Sequence, residues 1–461
     1  MLEMIRGQKV LVLGLARSGR AAVRLLLKAG AEKVIANDIK ETCQLLQEMN
    51  ELLSPRVQVV GGGHPTELLE NVDLIIKSPG ISPRIPLLQK AQLLGIPYYS
   101  EVELAFHFSP VPIIGITGTN GKTTTASLTG EIFRQEYPSV QVAGNIGFPL
   151  CEAVGLTSAP GFIVAELSSF QLENINKFQV AIGAVLNISP DHLDHHLTEE
   201  NYLIAKRNIL KNQTEKDWAV LNYDDQKIRN FASYSKGGVF FFSLEEDLER
   251  GVCLDKGNIV IVTAIESIKV CSTKEVRIPG KHNLENALAA TAIAWLAGLD
   301  VDKIAQGLKS FPGAPHRLEQ VGIIDRVTFF NDSKGTNPNA TINAISALKG
   351  PKILVAGGLN KGGSFDILAD LLKKQEVKKL ILMGETAAVI KKVAREKGFF
   401  DIVTVSTMQE AVAKAFDAAE WGDIVLLSPA CASWDMFKDY EERGDLFKAA
   451  VLALQGGANY V

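Results

Sequence analysis

The sequence has little that would direct the chain to a membrane, to nucleic acid or to an oxidising compartment. Its five cysteines lie far apart and form no CxxC pair, which argues against a disulfide framework or a cysteine zinc site. The formal net charge of -4 provides no basic field for nucleic acid. No apolar run approaches the ~18 residues that span a bilayer, and the N-terminus has no signal-peptide pattern. We therefore expect a cytoplasmic protein without membrane insertion.

The pattern of the chain is that of an α/β protein. Strand-like apolar runs alternate with helical patterns over nearly all of the 461 residues, which predicts largely parallel sheets. At ~150 residues per domain the length suggests about three domains. We place them at 1–107, 108–312 and 313–461, with a Pro- and Gly-rich linker at 311–315. A β-rich stretch at about 215–280 predicts a small antiparallel appendage on the central domain.

A phosphate-binding loop is predicted in the central block, where the strand VPIIGITG runs into the segment 118–124 and then a helix. Glycines allow backbone N–H groups to face phosphate, Lys122 supplies charge, and the hydroxyl of Thr123 or Thr124 suits Mg²⁺. Ile116 replaces the first glycine of the usual pattern, so a glycine-rich turn with an incidental lysine is the plain alternative. A GTPase is less favoured than an ATP-binding protein, because NKFQ and NKGG lack the guanine-reading aspartate.

Candidate metal ligands follow the neighbouring strands. Glu166 ends the strand GFIVAE, where a carboxylate can hold a phosphate-bound metal, although it could simply cap the strand. His192, His195 and His196 follow the next strand, and zinc is one interpretation of this cluster. The oxygen-rich surroundings favour Mg²⁺ instead. We select His192 alone as the ligand, because simple loop exposure is enough to explain His195 and His196.

The first block contains a second nucleotide-type unit. Gly14–Gly19 follows a strand and opens a helix, as in a dinucleotide-binding fingerprint, but Ala16 replaces the middle glycine. Asp38 ends the next strand, near the position of a ribose-binding carboxylate. A hydride-transfer enzyme is therefore an alternative, but it leaves the loop at 118–124 unexplained.

Several segments together resemble the Mur ligases of peptidoglycan precursor synthesis, most closely those that add D-glutamate. In the central block they are GTNGKTT at 118–124, ELSSFQLE at 166–173, NISPDHLDHH at 187–196 and PGKHNLENALAA at 279–290. PHRLE at 315–319, NDSKGTNP at 331–338, GGLNKGG at 357–363 and LSPACASWDMF at 427–437 follow in the third block. The resemblance covers essentially the whole chain. It implies a Rossmann-like N-terminal domain, a central P-loop ATPase-like domain and a Rossmann-like C-terminal domain.

The resemblance also implies a reaction. ATP would convert the carboxylate of UDP-N-acetylmuramoyl-L-alanine to an acyl phosphate, which the amine of D-glutamate would attack. Three alternatives remain: another amino-acid-adding Mur ligase, a folylpolyglutamate-type ligase and a non-enzymatic ATP-binding switch. The expected cofactors are ATP and Mg²⁺ at two sites, with Mn²⁺ as an alternative metal. A monomer is expected.

The site residues implied by the resemblance fall into four groups. The ATP-binding residues would be Gly118, Thr119, Asn120, Gly121, Lys122, Thr123, Thr124, Asn286, Arg317 and Asp332. The catalytic residues would be Lys122, Glu166, His192 and Lys206, and the metal ligands Thr123, Glu166, His192 and a carbamylated Lys206. The UDP-linked substrate would contact Leu15, Ala16, Asp38, Ile39, Ser78, Pro79, Gly80, Asn145, Ser168 and Gln171. D-Glutamate would contact Lys334, Thr336, Lys361, Ser433 and Tyr440.

Overall fold

The computed structural model describes residues 5–189, 191–278, 280–360 and 362–457. Over these ranges the chain forms three sheets and divides into two compact units. The first unit comprises residues up to Val276 together with Leu284–Ser310, and the second comprises Arg277–Asn283 together with residues from Phe311 onward. The α/β prediction is confirmed, while the domain boundaries at 107 and 312 stay predictions. None of the described helices is long and apolar enough to cross a bilayer.

The first sheet has five parallel strands in the order β3-β2-β1-β4-β5. The strands are β1 Lys9–Leu13, β2 Lys33–Asn37, β3 Val57–Val60, β4 Leu74–Lys77 and β5 Tyr98–Ser100. The accompanying helices are α1 Arg17–Lys28, α2 Thr42–Glu48, α3 Pro86–Leu93 and α4 Glu101–Phe108. Because the chain leaves β1 toward one side and returns at β4 on the other, the loops after β1 and β4 lie beside each other. Ligands of such sheets bind at this switch point.

The second sheet has nine strands in the order β14-β13-β12-β11-β10-β9-β6-β8-β7. The strands are β6 Ile113–Thr117, β7 Ser139–Gly144, β8 Gly161–Glu166, β9 Ile182–Val185, β10 Trp218–Asn222, β11 Gly238–Phe242, β12 Gly251–Asp255, β13 Asn258–Val262 and β14 Ser267–Ser272. The helices are α5 Lys122–Phe133, α6 Leu150–Leu156, α7 Ser169–Leu172, α8 Leu193–His196, α9 Glu199–Arg207, α10 Gln226–Arg229, α11 Lys281–Leu296 and α12 Val301–Ser310. β6 is buried along its whole length between β8 and β9, so the carboxyl ends of these three strands meet.

The predicted antiparallel appendage is smaller than expected. Of the strands in this stretch, only β12, β13 and β14 pair antiparallel, and they extend the large sheet at its edge. β10 and β11, which we had included in the appendage, pair in parallel inside the sheet. The reason is burial: four of the five residues of β10 are buried, as expected of a strand covered on both faces.

The third sheet has six strands in the order β15-β16-β20-β17-β18-β19. The strands are β15 Glu319–Ile324, β16 Val327–Asn331, β17 Lys352–Gly357, β18 Val377–Met383, β19 Ile402–Thr404 and β20 Ile424–Leu427. The helices are α13 Pro338–Ala347, α14 Asp366–Lys374, α15 Ala387–Glu396, α16 Met408–Asp417 and α17 Tyr440–Gly457. The apolar runs PKILVAGG, KKLILMGET, DIVTVST and DIVLLSPA predict β17 to β20, but the sequence did not predict the hairpin of β15 and β16. Its turn residues Asp325 and Arg326 both have positive φ, a geometry that Asn-Gly usually signals.

Candidate functional site

The loop after β6 has the backbone shape of a phosphate-binding loop. Gly118 (φ +155°) and Gly121 (φ +82°) both adopt conformations that favour glycine. Gly121 is the N-cap of α5, so the first N–H groups of that helix are presented at the loop. A Cβ on Gly121 would also collide with Asn286 Oδ1, which accepts a hydrogen bond from Thr125 Oγ1 at 3.2 Å. The predicted ATP ligand Asn286 thus lies directly against the loop.

Lys122 lies over the loop that precedes it. Its Nζ donates to the backbone carbonyls of Gly118 and Thr119, both at 2.8 Å. The two carbonyls hold the ammonium group of Lys122 beside the loop. A phosphate bound by the loop would compete with these carbonyls for the ammonium group.

Two residues that the sequence did not single out support this loop. Asn187 follows β9, and its Oδ1 accepts from Asn120 N at 2.7 Å while its Nδ2 donates to Asn120 O at 3.1 Å. The hydroxyls of Tyr202 and Thr119 are 3.2 Å apart. Asn187 lay within a recognised motif, but Tyr202 had no sequence signal beyond its place on a helix.

Glu166 is the centre of a buried polar group at the end of β8. Its Oε2 accepts from Thr123 Oγ1 at 2.8 Å, and its Oε1 accepts from Asn145 Nδ2 at 3.1 Å. Thr124, the next residue of the loop, is also buried. The structure therefore brings together three predicted residues from separate strand ends, in an arrangement of oxygen donors that suits a hard cation.

Lys206 is a buried amine on α9. Its Nζ donates to Gly118 O at 2.7 Å and lies 4.7 Å from the centre of the Tyr202 ring. Desolvation and then the neighbouring charge of Lys122 lower the pKa of Lys206 to about 7, although Asp191 and Glu166 oppose this shift. The sequence interpretation of Lys206 as a site residue rested only on the resemblance; its burial and contact with the loop are structural findings.

The histidine segment is arranged differently from our expectation. His192 has a positive φ of +51° and an exposed side chain, and its described contacts are with Asp191 and Phe170. The attribution of His195 and His196 to loop exposure was wrong. His196 is buried and His195 half-buried, because both rings pack against Phe170.

Ser168 and Gln171 form a capping box at the start of α7. Ser168 N donates to Gln171 Oε1 at 2.9 Å, and Gln171 N donates to Ser168 Oγ at 3.3 Å. Both predicted substrate residues thus follow Glu166 directly at the strand end, with their side chains engaged in ordering the turn.

The switch point of the first sheet holds the other predicted substrate residues. Asp38 Oδ2 accepts from Leu15 N at 2.6 Å, and Ser78 Oγ donates to Gly14 O at 2.7 Å. The loops after β1, β2 and β4 are thereby tied together. The remaining predicted residues there lie toward solvent: Ala16, Ile39 and Gly80 are exposed and Pro79 is half-buried.

The second unit places Asp332 in a buried pocket of hydrogen bonds. Its Oδ2 accepts from Ser428 Oγ at 2.7 Å and its Oδ1 from Leu318 N at 3.3 Å. Burial raises the pKa of Asp332 to about 6, while these donors and the charge of Arg317 act in the opposite direction. Arg317 and Asp332, the predicted ATP ligands of the C-terminal block, are neighbours.

Two of the predicted D-glutamate residues, Lys334 and Tyr440, lie next to Ser333, which a buried arginine binds; the sequence did not single out this arginine. Arg443 donates to Ser333 Oγ at 3.0 Å, to Ser333 O at 2.8 Å and to Cys431 O at 3.1 Å. Ser333 Oγ in turn donates to the carbonyl of Tyr440 at 2.8 Å, and Lys334 Nζ lies 5.3 Å from the Tyr440 ring centre.

Of the other predicted D-glutamate residues, Ser433 is buried two positions after Cys431, and Thr336 is half-buried with its N–H donating to Lys334 O at 2.9 Å. Lys361 lies outside the described residues.

Comparison with known proteins places this arrangement in a family. The Mur ligase MurD-like N-terminal domain matches residues 8–100, the Mur ligase middle domain matches 116–294, and the Mur ligase glutamate ligase domain matches 316–431. The chain belongs to the Mur ligase family.

Its relatives point to one branch of that family. The chain is 48% identical over 455 residues to the UDP-N-acetylmuramoylalanine–D-glutamate ligase of Thermoanaerobacter sp., covering 98% of this chain and 99% of that protein. It is 45% identical to the ligase of the same name from Clostridioides difficile, with 96% and 98% covered.

Solved structures share the fold at low sequence identity. The UDP-N-acetylmuramate-alanine ligase of Thermotoga maritima aligns with a TM-score of 0.61 and 17% identity over 98% of this chain and 100% of that one. The MurF ligase of Thermotoga maritima, solved in complex with ADP, aligns with a TM-score of 0.57 and 18% identity over 98% and 97% of the two chains.

Proposed function

We propose that the protein is an ATP-dependent amide ligase that adds D-glutamate to UDP-N-acetylmuramoyl-L-alanine in peptidoglycan precursor synthesis. One observation carries the proposal: a glycine-rich loop at a helix N-terminus is joined to a buried carboxylate, with Thr123 Oγ1 donating to Glu166 Oε2 at 2.8 Å. The relatives with this name match nearly the whole chain, which supports the choice of amino acid.

The proposed chemistry follows from forming an amide in water. A free carboxylate is a poor electrophile, so the alanyl carboxylate first takes the γ-phosphoryl group of ATP and becomes an acyl phosphate. The amine of D-glutamate then attacks the acyl carbon, and phosphate leaves. Lys122 is proposed to exchange the carbonyls of Gly118 and Thr119 for the phosphates of ATP, where its charge offsets the negative charge that develops. Asn286 is proposed to bind ATP beside the loop.

The donor set around Glu166 fits Mg²⁺. A threonine hydroxyl and a buried carboxylate are hard oxygen ligands, and both face the loop proposed for ATP. We assign one ion to Thr123 and Glu166 and a second to His192 and carbamylated Lys206, with Mn²⁺ as an alternative metal. When bound, the ions would neutralise phosphate charge during transfer. Carbamylation would convert the Lys206 amine, now beside Gly118 O and Lys122, from a cation into an anionic oxygen ligand.

The UDP-linked substrate and D-glutamate, which become the two ends of the product, are assigned to different sheets. The nucleotide of the first substrate is proposed to lie at the switch point formed by the loops with Leu15, Asp38 and Ser78. Its muramoyl-alanine part would reach Asn145, Ser168 and Gln171. D-Glutamate is assigned to Lys334, Thr336, Ser433 and Tyr440, with Lys361 binding its side-chain carboxylate because a cation favours that group. A monomer acting in the cytoplasm is proposed.

The test is phosphate release from ATP in the presence of UDP-N-acetylmuramoyl-L-alanine, with D-glutamate, L-glutamate, L-lysine or meso-diaminopimelate added in turn. We expect release only with the nucleotide substrate and D-glutamate together. Release with a different amino acid would retain the ligase chemistry and reject the assignment of Lys361. Phosphate release that does not depend on any of the added amino acids would favour the ATP-binding switch.

A further inference from the structure

A cluster of metal-type donors lies outside the residues assigned to ATP and the substrates. Glu173 follows α7, and His195 and His196 end α8; one ligand atom from each lies within 4.8 Å of the others. His195 Nε2 is 3.1 Å from Glu173 Oε2, and His196 Nε2 is 2.9 Å from Ser169 Oγ. Two imidazoles and one carboxylate are the donor set of several zinc sites.

Aromatic rings partly shield this cluster from solvent. The ring of Phe170 lies 4.5 Å from that of His195 and 5.5 Å from that of His196, and the Tyr202 ring lies 5.4 Å from His196. These rings also limit the movement of both histidines, so that the donors start close to a binding arrangement.

A buried lysine, Lys77, would compete with a metal ion for the carboxylate of Glu173. Lys77 lies at the end of β4, donates to Ile81 O at 3.0 Å and interacts electrostatically with Glu173. Burial lowers the pKa of Lys77 to about 8, which weakens this competition near and above that pH. Asn174 Nδ2, at 3.4 Å from Glu173 Oε2, is a neutral partner that an ion could displace.

We propose that Glu173, His195 and His196 bind a zinc ion. Tetrahedral zinc with bonds of ~2.0–2.2 Å holds its ligand atoms about 3.3 Å apart. Donors now within 4.8 Å therefore need to approach by about 1.5 Å at most, which side-chain rotation can supply. The hydrogen bonds of His195 with Glu173 and of His196 with Ser169 would be exchanged for metal bonds, and water would fill the fourth position. The chemistry differs from the oxygen donors at Glu166, which suit Mg²⁺.

The experiment is a titration of the full-length protein with Zn²⁺ by calorimetry and with Co²⁺ by visible absorption, without ATP, substrate or Mg²⁺. We expect one ion per chain and the intense visible bands of tetrahedral Co²⁺. Glu173→Gln and His196→Gln should each weaken binding at least ~10-fold and remove those bands. His195→Gln provides a third variant, and circular dichroism with thermal melting of the ion-free proteins checks that each one is folded.

Two further histidine variants test whether the ion binds at this cluster and not at another histidine. His107→Gln is the matched control, because His107 Nε2 also pairs with a glutamate, Glu103 Oε1, at 3.1 Å; it should bind zinc as the natural chain does. His192→Gln should also retain zinc binding. The proposal is overturned if the natural chain binds no ion, if the folded Glu173 and His196 variants bind it equally well, or if His192→Gln alone abolishes binding. Since no step depends on ligase activity, the result is independent of the proposed function.

Discussion

At the residue scale, Glu166 and Thr123 show how a site residue is recognised. Each was predicted from its place at the end of a strand or the start of a helix, and the structure joins them by a 2.8 Å hydrogen bond. Their roles in binding ATP and metal stay predictions.

We predict that Thr123→Val lowers the turnover of the ligase reaction. Valine has the same shape but offers no oxygen to a metal, so a loss of ~10- to 100-fold is expected in steady-state phosphate release. Thr129→Val on the same helix is the control. Thr129 Oγ1 is buried, and within the described part of the chain it has no hydrogen-bond partner, so its replacement should leave turnover unchanged. Equal losses in both variants would indicate a general effect on α5.

A second prediction concerns the stability contributed by Glu101. Its Oε1 accepts from Cys151 N at 2.6 Å, while its buried Oε2 has no partner among the described residues. Burial raises the pKa of Glu101 from 4.5 to about 7, so the folded state binds more protons than the unfolded state between these values. Its stabilising contribution is complete below about pH 4.5 and is lost as the pH rises through about 7.

Glu101→Gln should therefore gain stability relative to the natural chain as the pH rises from 5 to 8, by about 3 kcal/mol at most. Thermal or urea unfolding at several pH values measures this difference. Glu136→Gln, at an exposed position, is the control for a lost carboxylate. A stability difference for Glu101→Gln that does not vary with pH would contradict the assignment.

At the scale of elements, the junction of β6, the glycine loop and α5 was predictable because its signals are local. A buried strand, glycines at fixed spacing and a following helix are all contiguous in sequence. The hairpin of β15 and β16 was not predicted, because its Asp-Arg turn carries no glycine. The strands β10 and β11 were placed in the wrong arrangement, since parallel pairing depends on distant partners.

Gly121→Ala should damage this junction. The added Cβ would meet Asn286 Oδ1 at a residue with φ of +82°, and the strain should cost ~1–3 kcal/mol of stability and weaken ATP binding. Gly155→Ala is the matched control, because a Cβ at that helical position has open space. It should be neutral or stabilise the protein by up to ~1 kcal/mol. Chemical unfolding and calorimetric ATP titration give both quantities; an intact ATP affinity in Gly121→Ala would refute the role of the loop.

At the scale of the whole molecule, the predicted residues are distributed over three sheets in two compact units. In the second unit, the buried guanidinium of Arg443 at the start of α17 donates to the loops after β16 and β20. These loops carry the predicted D-glutamate residues Lys334 and Ser433. Planar geometry allows one arginine to satisfy several acceptors at once, which lysine cannot reproduce.

Arg443→Lys should raise the KM for D-glutamate more than the KM for ATP, because the arginine orders the loops around Lys334 and Tyr440 in the second unit. A loss of ~2–4 kcal/mol in stability is expected as well, since buried acceptors lose their donors. Arg395→Lys, an exposed change in the same unit, should alter neither. Steady-state kinetics with each substrate varied provide the measurement, and equal increases in both KM values would reject a specific role for Arg443.

The sequence by itself determined the α/β class, the phosphate-type loop and the strand-end position of Glu166, because each depends on residues close together in the chain. Whole-chain resemblance supplied Lys206, which has no local signal of its own. Only the tertiary structure decided that Lys206 is buried against Gly118, that Arg443 joins three segments, and that His195 and His196 pack on Phe170. Burial and partner choice result from contacts between distant segments, and no local pattern encodes which segments will meet.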